Sequence, residues 1–312
     1  MRSAVEERNF SPAYRAAREG LAHRRRESAV LDVEGLEREA FLQGQLTQDV
    51  RRLAPGESRP AAALTPKGKL LFLARLVGMP DRIRLLLPSA SREAALEHLR
   101  KFAAFQKVTV CDRSEELMEI ALYGPGAARV GALPEDLALA GSGEFSAQWL
   151  LPRARLEETE ARLRASGSVE IDPESAETLR VEAGRPRFGR DIDATNLPDE
   201  AGLDAAVSAT KGCYVGQEVV ARRRVYGRAN RRLVGYRFPD GPLPAGTLLR
   251  RTAAPEAVSE RTEAGRVTSS VQSPRFGPIG LGFAFHDVPV EGRLFGPGDP
   301  PRAAVASVLP FA

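Results

Sequence analysis

The sequence predicts an α+β protein in which two α+β modules precede a C-terminal antiparallel β-barrel. Strand and helix patterns alternate from residue 28 to residue 110, and a weaker version of the same order continues to residue 183. After residue 231 the apolar runs are short and are broken by Pro and Gly, which is typical of a small antiparallel barrel. We therefore divide the chain into three modules, at residues 28–113, 114–230 and 231–312.

The composition is that of an ordinary globular protein. Of the 312 residues, 43% are hydrophobic and 28% are charged, which excludes a disordered or collagen-like chain. No apolar run approaches the length that crosses a bilayer, and no apolar segment follows Arg24-Arg25-Arg26 near the N-terminus. We therefore expect a cytoplasmic protein. The net charge of +4 favours anionic partners without identifying them.

The cysteines and histidines do not predict a metal site. Only Cys111 and Cys213 are present, so one chain can build neither a disulfide framework nor a four-cysteine cluster site. His23, His98 and His286 show no spacing that is typical of metal ligands. We assign no metal, and any iron–sulfur role must be indirect or shared between molecules.

The first module is predicted from strand and helix patterns in turn. Residues 1–27 have mixed charges and little periodicity, so we expect an irregular or helical arm there and assign it no function. Residues 61–65 and 70–77 flank the turn-forming Pro66-Lys67-Gly68-Lys69, which indicates a β-hairpin. The other elements are strands at residues 28–35, 81–87 and 107–110 and helices at residues 36–50 and 91–105.

The second module repeats this order more weakly. Asp172 and Pro173 form a good helix start and Gly184 a good stop, which predicts a helix at residues 173–183. Residues 185–203 are dense in Gly, Pro and Asp, which is typical of an ordered loop that shapes a site. The other elements are strands at residues 118–123, 145–151 and 168–171, a short helix after Gly126 and a helix at residues 153–165.

The barrel strands follow from short apolar runs between turn residues. Residues 253–264 are polar, and we expect a mobile loop there. The predicted strands lie at residues 233–238, 247–251, 265–270, 279–285 and 303–308.

An unusual cysteine motif lies at residues 211–218, with the sequence KGCYVGQE. Gly212 and Gly216 permit backbone angles and close approaches that a side chain forbids, and residues 217–223 predict a short helix whose first amides face the cysteine. Lys211 and the helix N-terminus both favour the thiolate of Cys213, which is the reactive form. The alternative is a small buried cysteine in a glycine-rich turn.

Arginines crowd the segment that follows the cysteine motif. An isolated run of charge is usually a solvated surface. Beside a candidate site, such residues are also candidates for binding the carboxylates of a ligand tail or a phosphate backbone. They are Arg222, Arg223, Arg224, Arg228, Arg231 and Arg232.

The cysteine motif, followed by Val219-Val220-Ala221-Arg222, resembles the signature of the YgfZ-type proteins. These are folate-binding relatives of the glycine-cleavage T-protein and include mitochondrial factors that help to assemble iron–sulfur proteins. Residues 41–50 and 179–184 resemble the two folate-domain motifs of that superfamily, and residues 265–274 resemble its barrel segment. The resemblance implies a T-protein-like fold, with two ferredoxin-like α+β modules and a β-barrel around a central folate cavity.

The resemblance also implies contacts to tetrahydrofolate or a one-carbon derivative of it. Glu182 matches the acid that binds the pterin ring, whose paired donors one carboxylate can accept. Tyr123, Phe188 or Tyr214 would supply a stacking plane, and the sequence does not choose among them. Gln45 and Asp49 are weaker matches to folate-contacting residues. The cysteine motif and the helix after it add Gly216, Gln217, Glu218 and Arg222. Arg222, with Arg223 and Arg224, would receive the glutamate tail of the folate.

One departure from the T-protein pattern argues against aminomethyl transfer. Aminomethyltransferases carry a pair of aspartates on the strand after the hairpin turn, and one of them assists the transfer. Phe72 and Leu73 stand there in this chain, and neither side chain can transfer a proton. The turn Lys67-Gly68-Lys69 and the cysteine motif look instead like the YgfZ-type branch.

Three functional hypotheses follow. The first is a folate-binding accessory factor for iron–sulfur client enzymes or their assembly, including tRNA-modifying enzymes. In it Cys213 acts beside the folate cavity as a nucleophile, a reductant or a transient metal ligand, and Lys211 tunes its thiol. The second is a folate-dependent aminomethyltransferase or methyltransferase that uses another acid. The third is a tRNA-binding module, which the lack of aromatic residues among the arginines disfavours.

Overall fold

Two five-stranded sheets and a closed six-stranded barrel make up the computed structural model. It describes residues 11–132, 136–141, 144–227, 229–253 and 263–311, with the backbone alone at residues 224–226. The predicted α+β class with a C-terminal antiparallel barrel is confirmed. The α-helices are α1 (Pro12–Glu19), α2 (Arg38–Gln45), α3 (Arg92–Ala103), α4 (Leu156–Ala165), α5 (Pro173–Glu182) and α6 (Gln217–Tyr226).

The strands are β1 (Ala22–Arg26), β2 (Ser28–Glu34), β3 (Ser58–Leu64), β4 (Leu70–Gly78), β5 (Arg82–Pro88), β6 (Thr109–Asp112), β7 (Leu117–Tyr123), β8 (Leu137–Ala140), β9 (Ala147–Pro152), β10 (Val169–Glu170), β11 (Arg231–Arg237), β12 (Leu248–Arg250), β13 (Glu263–Ser273), β14 (Gly277–Phe285), β15 (Arg293–Gly296) and β16 (Arg302–Ser307). Of these, β1, β8 and β15 were not predicted from the sequence.

The first sheet has the strand order β3-β4-β5-β2-β6, and all its pairs are antiparallel. Side chains alternate between the two faces of a strand, so Leu31, Phe72 and Leu85 share the face that packs against α2 and α3. The predicted helix at residues 36–50 is shorter than expected. It ends at Gln45 because Leu46 is extended and pairs with Ala63.

The second sheet has the strand order β10-β1-β7-β9-β8, and its interior strand β1 comes from the N-terminal segment. Strand β1 runs parallel to β10 and antiparallel to β7, with Ala22 opposite Tyr123. This corrects the expectation of an irregular or helical arm, because the run Arg24-Arg25-Arg26 lies in a strand. The helical part of that arm is α1, which begins at Pro12 after Ser11.

The two sheets and the barrel pack on one another through apolar clusters. Val30 and Leu86 of the first sheet meet Leu150 of the second. Val181 of α5 packs against Leu281 of the barrel. The barrel closes in the order β11-β14-β13-β12-β15-β16. The loop predicted at residues 253–264 lies mostly outside the described residues, and β13 already begins at Glu263.

A buried ionic network fixes the loop after α5 to the barrel. The Asp191 carboxylate accepts hydrogen bonds from Arg180 at 2.8 Å, from the hydroxyls of Thr268 and Ser269 at 2.6 Å, and from the Arg187 backbone amide at 2.9 Å. Asp191 and Arg180 are each 4% exposed, so this pair is shielded from water. No helix in the described ranges is long and apolar enough to span a membrane.

The Asp191→Asn variant should lower the free energy of unfolding by about 2 to 4 kcal/mol, because it removes the buried one of the two carboxylates that pair with the Arg180 guanidinium and weakens the charge-assisted hydrogen bonds to Asp191. Asp81→Asn is the matched control, since Asp81 pairs with Arg82 on the surface and should cost at most about 1 kcal/mol. Urea denaturation measures both variants. Equal losses in the two would contradict a structural role for the buried pair.

Candidate functional site

A cavity of about 530 Å³ lies where the two sheets meet α5 and the loop that follows it. Grooves of about 620 and 630 Å³ lie beside Leu309 and beside Arg18, but only the first of the three is lined by both sheets. Its volume is in the range of small-molecule sites. We name it the central cavity, and its lining includes Arg24, Arg26, Leu73, Tyr123, Arg180 and Phe188.

One wall of the central cavity is apolar and aromatic. Leu73 lines it from β4, whereas its neighbour Phe72 is fully buried in the core of the first module. Of the three aromatic residues considered for stacking, Tyr123 and Phe188 line the cavity. Tyr214 does not line it; this side chain packs in an apolar cluster that reaches the cavity lining through Leu73 and Phe188.

The Tyr123 hydroxyl stays protonated near neutral pH. Burial and the nearby carboxylate of Glu144 raise the pKa of Tyr123 to about 12. The ring is held edge-on against Phe145, with 6.0 Å between centroids. Tyr123 therefore gives the cavity wall both an aromatic ring in a fixed position and a hydroxyl that can donate a hydrogen bond.

Another wall of the cavity is cationic. Arg26 pairs with Glu119 at 2.9 Å and with Glu144 at 2.6 Å. Arg180 pairs with Glu177 at 2.7 Å and with Asp191 at 2.8 Å. These guanidinium groups are thus largely compensated by carboxylates of the protein itself.

Glu182 does not line the central cavity. Its carboxylate accepts hydrogen bonds from the hydroxyls of Tyr14 at 2.7 Å and Ser273 at 2.6 Å, and it forms an ion pair with Arg18. Glu182 is 2% exposed, so a pterin would have to displace these partners to reach it. The contact between Glu182 and a pterin therefore stays a prediction, and the described contacts give this carboxylate a structural role.

Sequence reasoning missed Tyr14 and Arg18, because the N-terminal arm was assigned no function. A helix signal was present, since Pro12 suits the first turn and Gly20 ends α1. Tyr14 and Arg18 are four residues apart and therefore lie on one face of α1. What the sequence does not indicate is that this face meets α5, which lies more than 150 positions later.

The cysteine motif packs on the first module. Gly216 has a φ of +82° and precedes α6, and a Cβ atom there would lie 2.6 Å from the carbonyl oxygen of Thr65. The amide of Val215 donates to the Gly44 carbonyl at 3.1 Å. The glycine is therefore required both by backbone conformation and by contact with the β3–β4 turn.

Lys211 binds the end of α2. Its ammonium group donates to the backbone carbonyls of Gln43 at 2.7 Å, Leu46, and Gln48 at 3.1 Å. It also lies 4.9 Å from the centre of the Tyr214 ring. Burial lowers the pKa of Lys211 to about 8, while the Asp49 carboxylate acts in the opposite direction.

Cys213 is exposed and is not among the residues that line the central cavity. The three ammonium protons of Lys211 go to backbone carbonyls, so Lys211 donates no hydrogen bond to Cys213. The structure therefore separates the two features that the sequence placed side by side, the thiol and the cavity. The role of Lys211 in tuning the thiol stays a prediction.

The other predicted contact residues lie around the motif or on α6. Gln45 is partly buried, and its side-chain oxygen has no hydrogen-bond partner among the described residues. Asp49 accepts a hydrogen bond from Gln43 at 3.2 Å. Glu218 and Arg222 form an exposed ion pair at 2.7 Å, and Gln217 begins α6 beside them. The side chain of Arg224 and all of Arg228 lie outside the described residues.

The described residues contain no group of three or more His, Cys, Asp or Glu side chains that could hold a metal ion. His23 is fully buried, and its Nδ1 lies 2.8 Å from the Ser168 hydroxyl. His98 lies between the rings of Phe72 and Phe102. Both histidines therefore belong to the packing of their modules.

No protein-family model matches the chain. Among curated proteins, the tRNA-modifying protein YgfZ of Colwellia psychrerythraea is 32% identical over 222 residues, which are 66% of this chain and 68% of the relative. The YgfZ protein of an Enterobacter species is 30% identical over 67% of this chain and 68% of its own. An aminomethyltransferase of Rubrobacter xylanophilus is 30% identical over 80% of this chain and 72% of its own.

A solved structure shares the whole fold. The glycine cleavage system aminomethyltransferase T from Bartonella henselae superposes with a TM-score of 0.86 over 96% of this chain and 88% of that one. The two sequences are 22% identical. The likeness establishes the arrangement of two α+β modules and a barrel, and the chemistry must be argued from the side chains.

The lowered pKa of Lys211 predicts a pH dependence of stability. In an unfolded chain a lysine titrates near about pH 10.4, so between pH 8 and that value the unfolded state holds a proton that the folded state has released. The free energy of unfolding should therefore gain a contribution as the pH rises through this window. Denaturant unfolding at several pH values, for wild type and Lys211→Met, measures it.

The contribution should be missing in Lys211→Met, so the stability difference between wild type and this variant should grow in favour of wild type from about pH 7.5 to about pH 9.5. Lys67→Met is the control, because Lys67 is an exposed lysine in the adjacent turn. It should keep the wild-type pH dependence. A stability difference between wild type and Lys211→Met that does not change with pH would contradict the lowered pKa of Lys211.

Proposed function

The chain belongs to the YgfZ-type family within the superfamily of the glycine-cleavage T-protein, and from this we propose that it binds a reduced folate in the central cavity and supports iron–sulfur enzymes. The named relatives are tRNA-modifying proteins, and we extend that role to this chain. The clients proposed here are accordingly enzymes that modify tRNA, or the factors that assemble them.

The residues that line the central cavity support the proposal that it binds a folate. A reduced folate combines a flat ring system with a tail of carboxylates, and the cavity combines the rings of Tyr123 and Phe188 with several guanidinium groups. Its volume of about 530 Å³ suits a ligand of this kind. When bound, the folate would supply an activated one-carbon unit. Tyr123 and Phe188 would hold its ring, and the Tyr123 hydroxyl would donate a hydrogen bond to it.

Leu73 supports an accessory role over aminomethyl transfer. It lines the cavity at the position where aminomethyltransferases are expected to carry an acid, and a leucine neither accepts nor donates a proton. The similarity to the Rubrobacter aminomethyltransferase favours a transferase as the second candidate function, in which Glu144, one of two glutamates that line the cavity, would be the acid. That carboxylate is already paired with Arg26. A coupled assay with tetrahydrofolate and an aminomethyl donor separates the two, since turnover above background would favour the transferase.

The exposure of Cys213 supports the proposal that its thiol acts on a client protein and not on a bound folate. A thiol acting on a bound folate has to reach the cavity, whereas Cys213 is exposed and does not line it. A client enzyme can approach an exposed thiol directly. Of the three roles considered from the sequence, a reductant or a transient ligand for a client cluster is therefore the one that we propose.

Calorimetry with tetrahydrofolate tests the folate proposal. Wild type should bind with measurable heat, and Phe188→Ala should weaken the affinity roughly tenfold because the stacking plane is lost. Phe102→Ala is the control, since Phe102 is a partly exposed ring on α3 outside the cavity, and its affinity should equal that of wild type. No binding by wild type would overturn the proposal.

Complementation in cells that lack the protein tests the thiol. Cys213→Ser should restore much less activity of an iron–sulfur tRNA-modifying enzyme than wild type does, because a hydroxyl is a poor nucleophile and metal ligand beside a thiolate. Cys111→Ser is the matched control, since Cys111 is the other free cysteine and is partly buried. Full complementation by Cys213→Ser, at an equal protein level, would remove Cys213 from the proposed function.

A further inference from the structure

Arg24 occupies the middle of β1, on the wall of the central cavity. In the antiparallel pair with β7, Ala22 faces Tyr123, Arg24 faces Ala121 and Arg26 faces Glu119. Residues two apart on a strand share a face, so Arg24 and Arg26 project from the same side of the second sheet as Tyr123. Both guanidinium groups lie close enough to Tyr123 to influence its pKa.

The charges around the cavity leave Arg24 uncompensated. Arg25 pairs with Glu160, and Arg26 and Arg180 each have two carboxylate partners. Arg187 pairs with Glu177. Arg24 forms neither an ion pair nor a hydrogen bond with any side chain or backbone group in the described ranges. Glu27 also lines the cavity, but it is exposed and does not pair with Arg24.

Arg24 is a partly buried residue, and its guanidinium has no counter-charge among the described residues. Taking the charge out of water is unfavourable unless a partner replaces the lost hydration, and the attraction between opposite charges grows where protein atoms exclude water. The planar guanidinium fork matches a carboxylate with two parallel hydrogen bonds. Among the described arginines of the cavity lining, Arg24 is therefore the one whose guanidinium is free to pair with an anionic group of a ligand, next to the aromatic wall.

We propose that Arg24 binds a carboxylate of the folate glutamate and so anchors the charged end of the ligand inside the cavity. This inference rests on the proposed function, and it moves the tail away from Arg222, where the sequence placed it. Arg222 is a poor anchor in this structure, since its side chain is 71% exposed, pairs with Glu218 and does not line the cavity.

The test compares two ligands that differ in their carboxylates. Tetrahydrofolate carries the glutamate, and tetrahydrobiopterin carries the reduced pterin ring without any carboxylate. In calorimetry, Arg24→Met should weaken tetrahydrofolate binding by about 10- to 100-fold, the usual effect of losing charge-assisted hydrogen bonds. The same variant should bind tetrahydrobiopterin as wild type does, and Arg24→Lys should recover part of the loss, because the charge remains without the fork.

Two controls keep the comparison specific. Arg24 has no described protein partner, so Arg24→Met should unfold at the wild-type temperature or above it. Arg293→Met removes an exposed arginine from the barrel strand β15 and should leave both affinities unchanged. Inorganic phosphate at constant ionic strength is the competitor that separates a carboxylate site from a general anion site.

Each outcome decides the proposal. Unchanged tetrahydrofolate binding by Arg24→Met would overturn the role of Arg24 and leave folate binding in place. An equal loss for both ligands would overturn it too, because Arg24 would then shape the cavity and not bind the tail. Displacement of tetrahydrofolate by phosphate would overturn the assignment to a carboxylate. Absence of tetrahydrofolate binding by wild type would overturn the proposed function itself.

Discussion

The buried pair of Arg180 and Asp191 is the interaction on which the central cavity depends. It joins α5 to the loop after it, and the hydroxyls of Thr268 and Ser269 join that loop to the barrel. The same loop supplies Phe188 to the cavity wall. Buried pairs add little net stability, yet they are costly to break, so a pair of this kind fixes one arrangement of the surrounding chain. The cavity owes its shape to that fixed arrangement.

The molecule presents two separate features, the central cavity and the exposed thiol, and one apolar cluster connects them. Tyr214, next to Cys213, packs in a cluster that has Leu73 and Phe188 at its margin, and both of these side chains line the cavity. A ligand that moves Phe188 therefore acts on the packing of the residue beside the thiol.

Sequence patterns identify elements whose signals are local, and they miss contacts made by distant residues. The β3–β4 hairpin, the start of α5 at Asp172 and the start of α6 were all predicted from turn and cap residues. The end of α2 was not, because there Leu46 pairs with Ala63 of β3 and Lys211 binds the last carbonyls from more than 160 positions away. Strand β1 was missed because its three arginines carry no apolar alternation. The surroundings of Glu182 depend on α1 and β13 and appear only in three dimensions.

The position of β1 in the second sheet has a consequence for biosynthesis. It leaves the ribosome early, but its neighbours β7 and β10 are translated only after the whole first module. Until then β1 has two unpaired edges, and nascent chains expose such edges to wrong partners. The first module is complete before the second sheet can close. The wall that carries Arg24 thus forms only after the first module has been translated, and a chain interrupted before β7 lacks the strands that build the central cavity.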